Sequence, residues 1–141
     1  MKKKNTLLLF LCLFSLWAVA QEKKPVKIAC VGNSITYGSG IKNQFQNSYP
    51  GLLSQLLGEG YDVRNFGISA RVMLNKGDHP YMHEQKFRDL LAFQPDIVTI
   101  KLGTNDSKPW NWHYGKDFGK DLTEMLDILQ DLPSKPKIYL C

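Results

Sequence analysis

Little in this 141-residue chain is suited to holding a metal, a nucleotide or a membrane. It has only three cysteines and three histidines, and no pair of cysteines stands at the short spacing of a zinc site. Gly32, Gly38 and Gly40 do not form G-x-G-x-x-G, and no G-K-[ST] follows them, so no nucleotide cofactor is implied. Internal repeats, low-complexity tracts and linkers are also missing. The one long apolar run, Leu7 to Trp17, falls well short of the ~20 residues that span a bilayer. Lys2, Lys3 and Lys4 precede it and the small-x-small site Ala18-Val19-Ala20 follows, the pattern of a cleaved secretory leader over residues 1–20. The mature chain is expected to start at Gln21, to be secreted or periplasmic, and to keep no stable membrane association. Cys12 is not a lipid anchor, because Leu11 is not the small residue that lipidation requires.

Removing the leader leaves fifteen basic against thirteen acidic groups, so the net charge falls from +5 to +2. The basic balance is therefore mostly a targeting feature, and no Lys/Arg stripe remains to attract nucleic acid. With 43% hydrophobic residues, a single domain over residues 21–141 has enough apolar material for a core. Lys137 to Cys141 reads as the opening of a buried strand. The chain is accordingly expected to be the N-terminal part of one domain, with the sheet cut after about its fourth strand.

Strand-like runs at Val26 to Val31, Tyr61 to Phe66, Ile97 to Leu102 and Lys137 to Cys141 alternate with helical patterns. That alternation implies an α/β fold built from right-handed βαβ units around a parallel sheet. The helices expected are Tyr49 to Leu57, Glu84 to Phe93 and Lys116 to Leu129. The first carries Leu52, Leu53, Leu56 and Leu57 as one apolar stripe, with Ser48 as its cap. The third repeats Phe118, Leu122, Met125, Leu126 and Leu129 at core-facing intervals. Gly58, Gly60, Pro95, Pro133 and Pro136 fall between these elements. Gly67 to Tyr81 is the one long irregular connection, expected to be a solvated loop carrying Arg71, Lys76, Asp78 and His79.

Three strand ends carry small or polar groups. Val26 to Thr36, VKIACVGNSIT, delivers the Ser34 hydroxyl at a strand's C-terminal end, where reactive groups collect in α/β proteins. Gly67 ends the second strand in NFGISA, and Gly103-Thr104-Asn105-Asp106 follows the third. Each alone is ordinary turn chemistry, since glycine supplies unusual dihedrals and Ser, Asn and Asp bond local backbone.

In this order, the three blocks resemble the SGNH hydrolase superfamily of GDSL-type esterases. Gly32-Asn33-Ser34-Ile35 is similar to the family's Gly-Asp-Ser block, Gly67 to its second-block glycine and Gly103-Thr104-Asn105-Asp106 to its Gly-x-Asn-Asp block. NFGIS, KLGTNDSKP and the following NW are similar to bacterial sialate O-acetylesterases and related carbohydrate acetylesterases. The resemblance implies a three-layer flavodoxin-like fold with strand order 2-1-3-4. One strand then separates Cys30 from Cys141 by about 9–10 Å, beyond the ~7 Å reach of a disulfide. Both are expected to be reduced core thiols.

The resemblance further implies a serine esterase acting on small-molecule or glycan esters, such as O-acetyl groups of sialic acid, with no cofactor or metal. Ser34 would be the nucleophile, and Ser34 N–H, Gly67 N–H and the Asn105 amide the oxyanion donors. Gly67, without a Cβ, would let the backbone approach substrate closely. Asn33 departs from the family's Asp but keeps a short hydrogen-bonding side chain, and Asp106 is read as ordering its own loop. The family's Asp-x-x-His block has no counterpart here and is expected beyond residue 141. Of the histidines present, His79 and His83 are expected to be solvated, and His113 is the one placed to line the crevice. Trp110, Trp112 and Tyr114 stand at the crevice mouth, to stack on sugars or to cover it. A non-catalytic carbohydrate-binding relative or inactive remnant is the alternative reading.

Overall fold

A computed structural model of the protein describes residues 24–141. The proposed leader lies outside the described residues. Four parallel strands form one sheet: β1 (Val26–Gly32), β2 (Tyr61–Gly67), β3 (Ile97–Lys101) and β4 (Lys137–Leu140). Their order, β2-β1-β3-β4, is the expected one. β1 is flanked on both sides and covered on both faces, so Ala29, Cys30 and Val31 are all fully buried. A continuous apolar run, instead of alternation, is what such a position selects.

Between β1 and β2 come three helices, α1 (Ser34–Tyr37), α2 (Gln44–Asn47) and α3 (Tyr49–Leu57). Later connections carry α4 (Gln85–Phe93), the short α5 (Pro109–Trp112) and α6 (Phe118–Gln130). Phe87, Leu90 and Phe93 of α4 and Met125 and Leu129 of α6 pack with Phe66, Val98 and Ile100 in the main core. Burying each such side chain contributes roughly 1.5–3 kcal/mol.

Several expectations are corrected. The four leucines of α3 do not form one buried stripe: Leu52 is 47% and Leu56 84% exposed, while Leu53 and Leu57 are half-buried. Residues four apart share a helix row, so the 52/56 and 53/57 pairs form separate rows, and only the second turns inward. Ser48 stands at the N-cap of α3 but makes no capping bond. Cys30 and Cys141 are both free, yet Cys141 lies past the end of β4 and is exposed.

The Gly67 to Tyr81 connection is not simply a solvated loop. Val72, Met73, Leu74 and Tyr81 are buried in it. The Tyr81 hydroxyl donates to the Phe66 carbonyl at 2.6 Å, pinning the loop's far end back to β2.

Candidate active site

The register of the sheet sets the site. Gly32 of β1 pairs with Gly67 of β2 and with Lys101 of β3. Three loops therefore leave adjacent strands at one level of the sheet's C-terminal end. They carry Ser34, residues 68–74 and residues 103–106.

Ser34 opens α1. A Cβ on Gly32 would lie 2.1 Å from Thr36 Oγ1 and 2.7 Å from the Lys101 carbonyl, so only glycine permits this tight strand-to-helix turn. The Asn33 side chain caps the helix, its Oδ1 accepting the Ile35 N–H at 3.0 Å. That bond needs an acceptor oxygen, which asparagine supplies as well as aspartate does. The Ser34 carbonyl accepts N–H groups of Gly38 and Ser39, both at 2.9 Å, and holds the backbone under the hydroxyl. Ser34 itself is half-buried, and its Oγ makes no hydrogen bond among the described residues.

Gly67 ends β2. Its N–H already donates to Asn65 Oδ1 at 2.9 Å. A Cβ there would meet Tyr37 N at 2.3 Å, so the missing side chain lets α1 approach. Asn65, which the sequence reading passed over, is the hub of this contact. Its Nδ2 donates to the carbonyls of Thr36 at 2.9 Å and Tyr37 at 3.3 Å, tying α1 to the end of β2. The signal was an asparagine inside a strand, where that residue is depleted. Ala70 was missed as well. It sits at φ 67, a conformation costly for a residue with a Cβ, and its N–H has no partner among the described residues.

Asn105 is half-buried beside this loop. Its Nδ2 donates to the Arg71 carbonyl at 3.0 Å, leaving the second amide hydrogen without an acceptor among the described residues. The neighbouring Asp106 is fully buried, and its partners are not local. Its two carboxylate oxygens accept the N–H groups of Met73 and Leu74 at 3.0 and 2.8 Å. Asn111, also buried, accepts the Asp78 N–H at 2.9 Å and donates to the Asn105 carbonyl at 3.0 Å and to Asp78 Oδ1 at 3.1 Å. Desolvation acts to raise the Asp78 carboxyl, but hydrogen bonds from Trp110 and Asn111, with His79 nearby, outweigh it and hold the group below its ordinary value. Farther along, Asp121 accepts the Asn75 N–H at 2.7 Å, and Lys76 pairs with Asp117 at 2.9 Å.

His79, His83 and His113 are all exposed, and none hydrogen-bonds to Ser34. His113 packs edge-on against Tyr114, with centroids 5.0 Å apart. Trp110 and Trp112 are 60% and 55% exposed. Trp110 donates to Asp78 at 3.1 Å, and Trp112 leans on Phe118. Among the described residues no three His, Cys, Asp or Glu side chains gather as metal ligands.

A serine-bearing turn after β1, with polar loops after β2 and β3, stands at the C-terminal end of the parallel sheet, where α/β proteins place their sites. The GDSL-like Lipase/Acylhydrolase family model matches residues 30–141, and the chain belongs to that family. It is similar to an acetylxylan esterase of Xylanibacter ruminicola, 50% identical over 139 residues, an alignment covering 86% of this chain and 29% of that protein. Among solved structures, it is similar to Est24, a carbohydrate acetylesterase from Sinorhizobium meliloti, with TM-score 0.64 and 21% identity, covering 82% of this chain and 62% of that one. AlinE4, an SGNH-hydrolase family esterase, aligns with TM-score 0.60 and 23% identity over 83% of this chain and 58% of its own. At those identities the structural likeness establishes the fold alone. The chain thus spans less than two thirds of the length of each of these relatives.

Proposed function

We propose that the protein is a serine esterase that removes O-acetyl groups from carbohydrate, with Ser34 as nucleophile. The observation that carries this reading is the sheet register, which sets the Ser34, 68–74 and 103–106 segments side by side. Ser34 Oγ attacks the acyl carbonyl and forms the acyl-enzyme bond as the C–O bond to the sugar breaks. The Oγ proton passes through a histidine base to the departing sugar oxygen, and water then cleaves the acyl-enzyme by the same route. That base belongs, in this reading, to an Asp-x-x-His block C-terminal to residue 141.

The oxyanion meets the Ser34 N–H, the free amide hydrogen of Asn105 and a backbone donor from the loop after β2. With the Gly67 N–H committed to Asn65, the unpartnered N–H of Ala70 supports that third role better. The similar acetylxylan esterase supports acetylated xylan as substrate; sialic acid O-acetyl esters are the alternative. Residues 1–20 direct export, so the enzyme works outside the cytoplasm on glycan.

The test is covalent labelling of the complete gene product, with the segment C-terminal to residue 141, by an organophosphonate, which should modify Ser34, be lost in Ser34→Ala and compete with acetylated xylan. Labelling that persists in Ser34→Ala sinks the assignment. One observation favours a non-catalytic glycan-binding protein as second reading: among the described residues no histidine hydrogen-bonds to Ser34. Glycan binding by a protein that neither labels nor hydrolyses aryl acetate would establish it.

A further inference from the structure

A groove of about 960 Å³ runs along the edge strand β2, between α2, α3 and the start of α4, and neither Ser34 nor Asn105 lines it. This volume lies at the upper end of what small ligands occupy. Two aromatic side chains face it: Tyr37, 39% exposed, and Phe45, 93% exposed on the short helix α2. An aromatic ring this bare covers no core, and its apolar face is free to stack.

The charges of the groove do not balance. It holds Asp62, Arg64 and Lys86. Arg64 is spent on Asp62, donating through Nε at 3.1 Å and through a terminal nitrogen at 2.8 Å. Lys86 has no carboxylate within salt-bridge distance among the described residues. Its Nζ contacts the Gly67 carbonyl at 3.2 Å and lies 5.9 Å from the centre of the Tyr37 ring. One uncompensated cation therefore stands beside an aromatic face. Tyr37 is on α1, three residues after Ser34, so a chain lying in the groove leads toward the nucleophile helix.

Resting on the carbohydrate reading above, we propose that this groove is an accessory glycan subsite for a sugar bearing a carboxylate, such as a uronosyl unit. Phe45 stacks on a sugar face and the Lys86 ammonium pairs with the carboxylate. A neutral sugar gains the first contact only.

The protein is titrated calorimetrically with a glucuronosyl-substituted xylo-oligosaccharide and with the unsubstituted oligosaccharide of equal length. The acidic sugar is expected to bind about fivefold more tightly or better, as one partly shielded ion pair allows. Lys86→Gln, which keeps a donor for the Gly67 carbonyl, should erase that preference. Phe45→Ala, at a position too exposed to endanger folding, should weaken both sugars by about fivefold. No binding of the acidic sugar, equal affinity for both, a preference that survives Lys86→Gln, or unchanged binding by Phe45→Ala overturns the proposal. Aryl acetate hydrolysis, measured in parallel, separates the two readings. Its absence with the sugar preference intact counts against the esterase alone, and its presence without the preference counts against the groove alone.

Discussion

Replacing Asp106 with asparagine should destabilise the protein far more than the exchange of one oxygen for an NH₂ group and one lost charge suggest. The carboxylate is fully buried, and its two oxygens accept the Met73 and Leu74 N–H groups at 3.0 and 2.8 Å. A hydrogen bond to a charged group contributes about 1.5–3 kcal/mol, and a buried donor left unpaired costs about 1–3 kcal/mol. Asparagine keeps one acceptor oxygen and turns an NH₂ toward the other backbone donor. One bond is lost and two donors then face each other, for a loss of about 3 kcal/mol. Alanine loses both bonds, about 4–5 kcal/mol. In urea denaturation with a slope of about 1.5 kcal/mol/M, Asp106→Asn should lower the midpoint by about 2 M. Asp131→Asn is the control, because the Asp131 side chain is 90% exposed and surface changes stay within about 0.5 kcal/mol. If Asp106→Asn stays within the same 0.5 kcal/mol at unchanged slope, the carboxylate does not hold the loop.

Gly67→Ala would drive a Cβ to 2.3 Å from the Tyr37 nitrogen and should lose about 3 kcal/mol in the same denaturation assay, whereas wild-type stability would show that α1 can move aside. Ala70→Gly should instead gain about 0.5–1 kcal/mol, seen as a rise of a few degrees in melting temperature, because the strain at φ 67 is relieved; a fall would contradict that strain. Asn105→Ala should cut kcat on an acetyl ester by about 10²–10³-fold with a smaller change in KM, and a loss under tenfold would remove Asn105 from the oxyanion site. The Asp78 carboxyl is held below its ordinary value of 3.8, so its contribution to stability is present above that pH and lost as pH falls through the folded value. The melting-temperature gap between wild type and Asp78→Asn should therefore be widest near neutrality and narrow as pH falls below 3.8, and a constant gap would contradict this.

The fold was legible because β1 and β3 announce themselves twice, by an apolar run and by the breakers beside it, while β2, with Asp62, Arg64 and Asn65 in it, is marked mainly by Gly58, Gly60 and Gly67 around it. Val26 to Val31 needs covering on both faces, which only a central parallel strand provides. Alternation with helices then fixes the rest through right-handed crossovers. What misled was burial on a single helix: the α3 leucines make a good pattern, yet the pattern does not say which of two adjacent rows the sheet accepts. The Gly67 to Tyr81 loop misled for a related reason. Its Arg, Lys, Asp and His residues drew the reading toward solvent, although Val72-Met73-Leu74 was a short buried segment in plain view.

Ser34 and Asn105 stood out in the sequence because each comes two residues after a glycine near a strand's C-terminal end. The partners that hold those residues were not legible, because they lie far apart in sequence: Asp106 reaches Met73 and Leu74 across 33 and 32 residues. No local spacing encodes such a bond. Its consequence is nonetheless specific. The loop after β2 has no helix or strand to fix its N–H groups until Tyr81, and a donor that must not reorganise when charge develops needs a rigid seat. Asn105 on Arg71, Asp106 on Met73 and Leu74, and Asn111 on Asp78 supply that seat by side-chain bonds to backbone. On the esterase reading proposed above, the third block therefore does two things at once, presenting the Asn105 amide and holding in register the loop that carries the Ala70 N–H. For that reason Asp106, though its carboxylate is turned into the loop, should prove as necessary to the site's geometry as the residue before it.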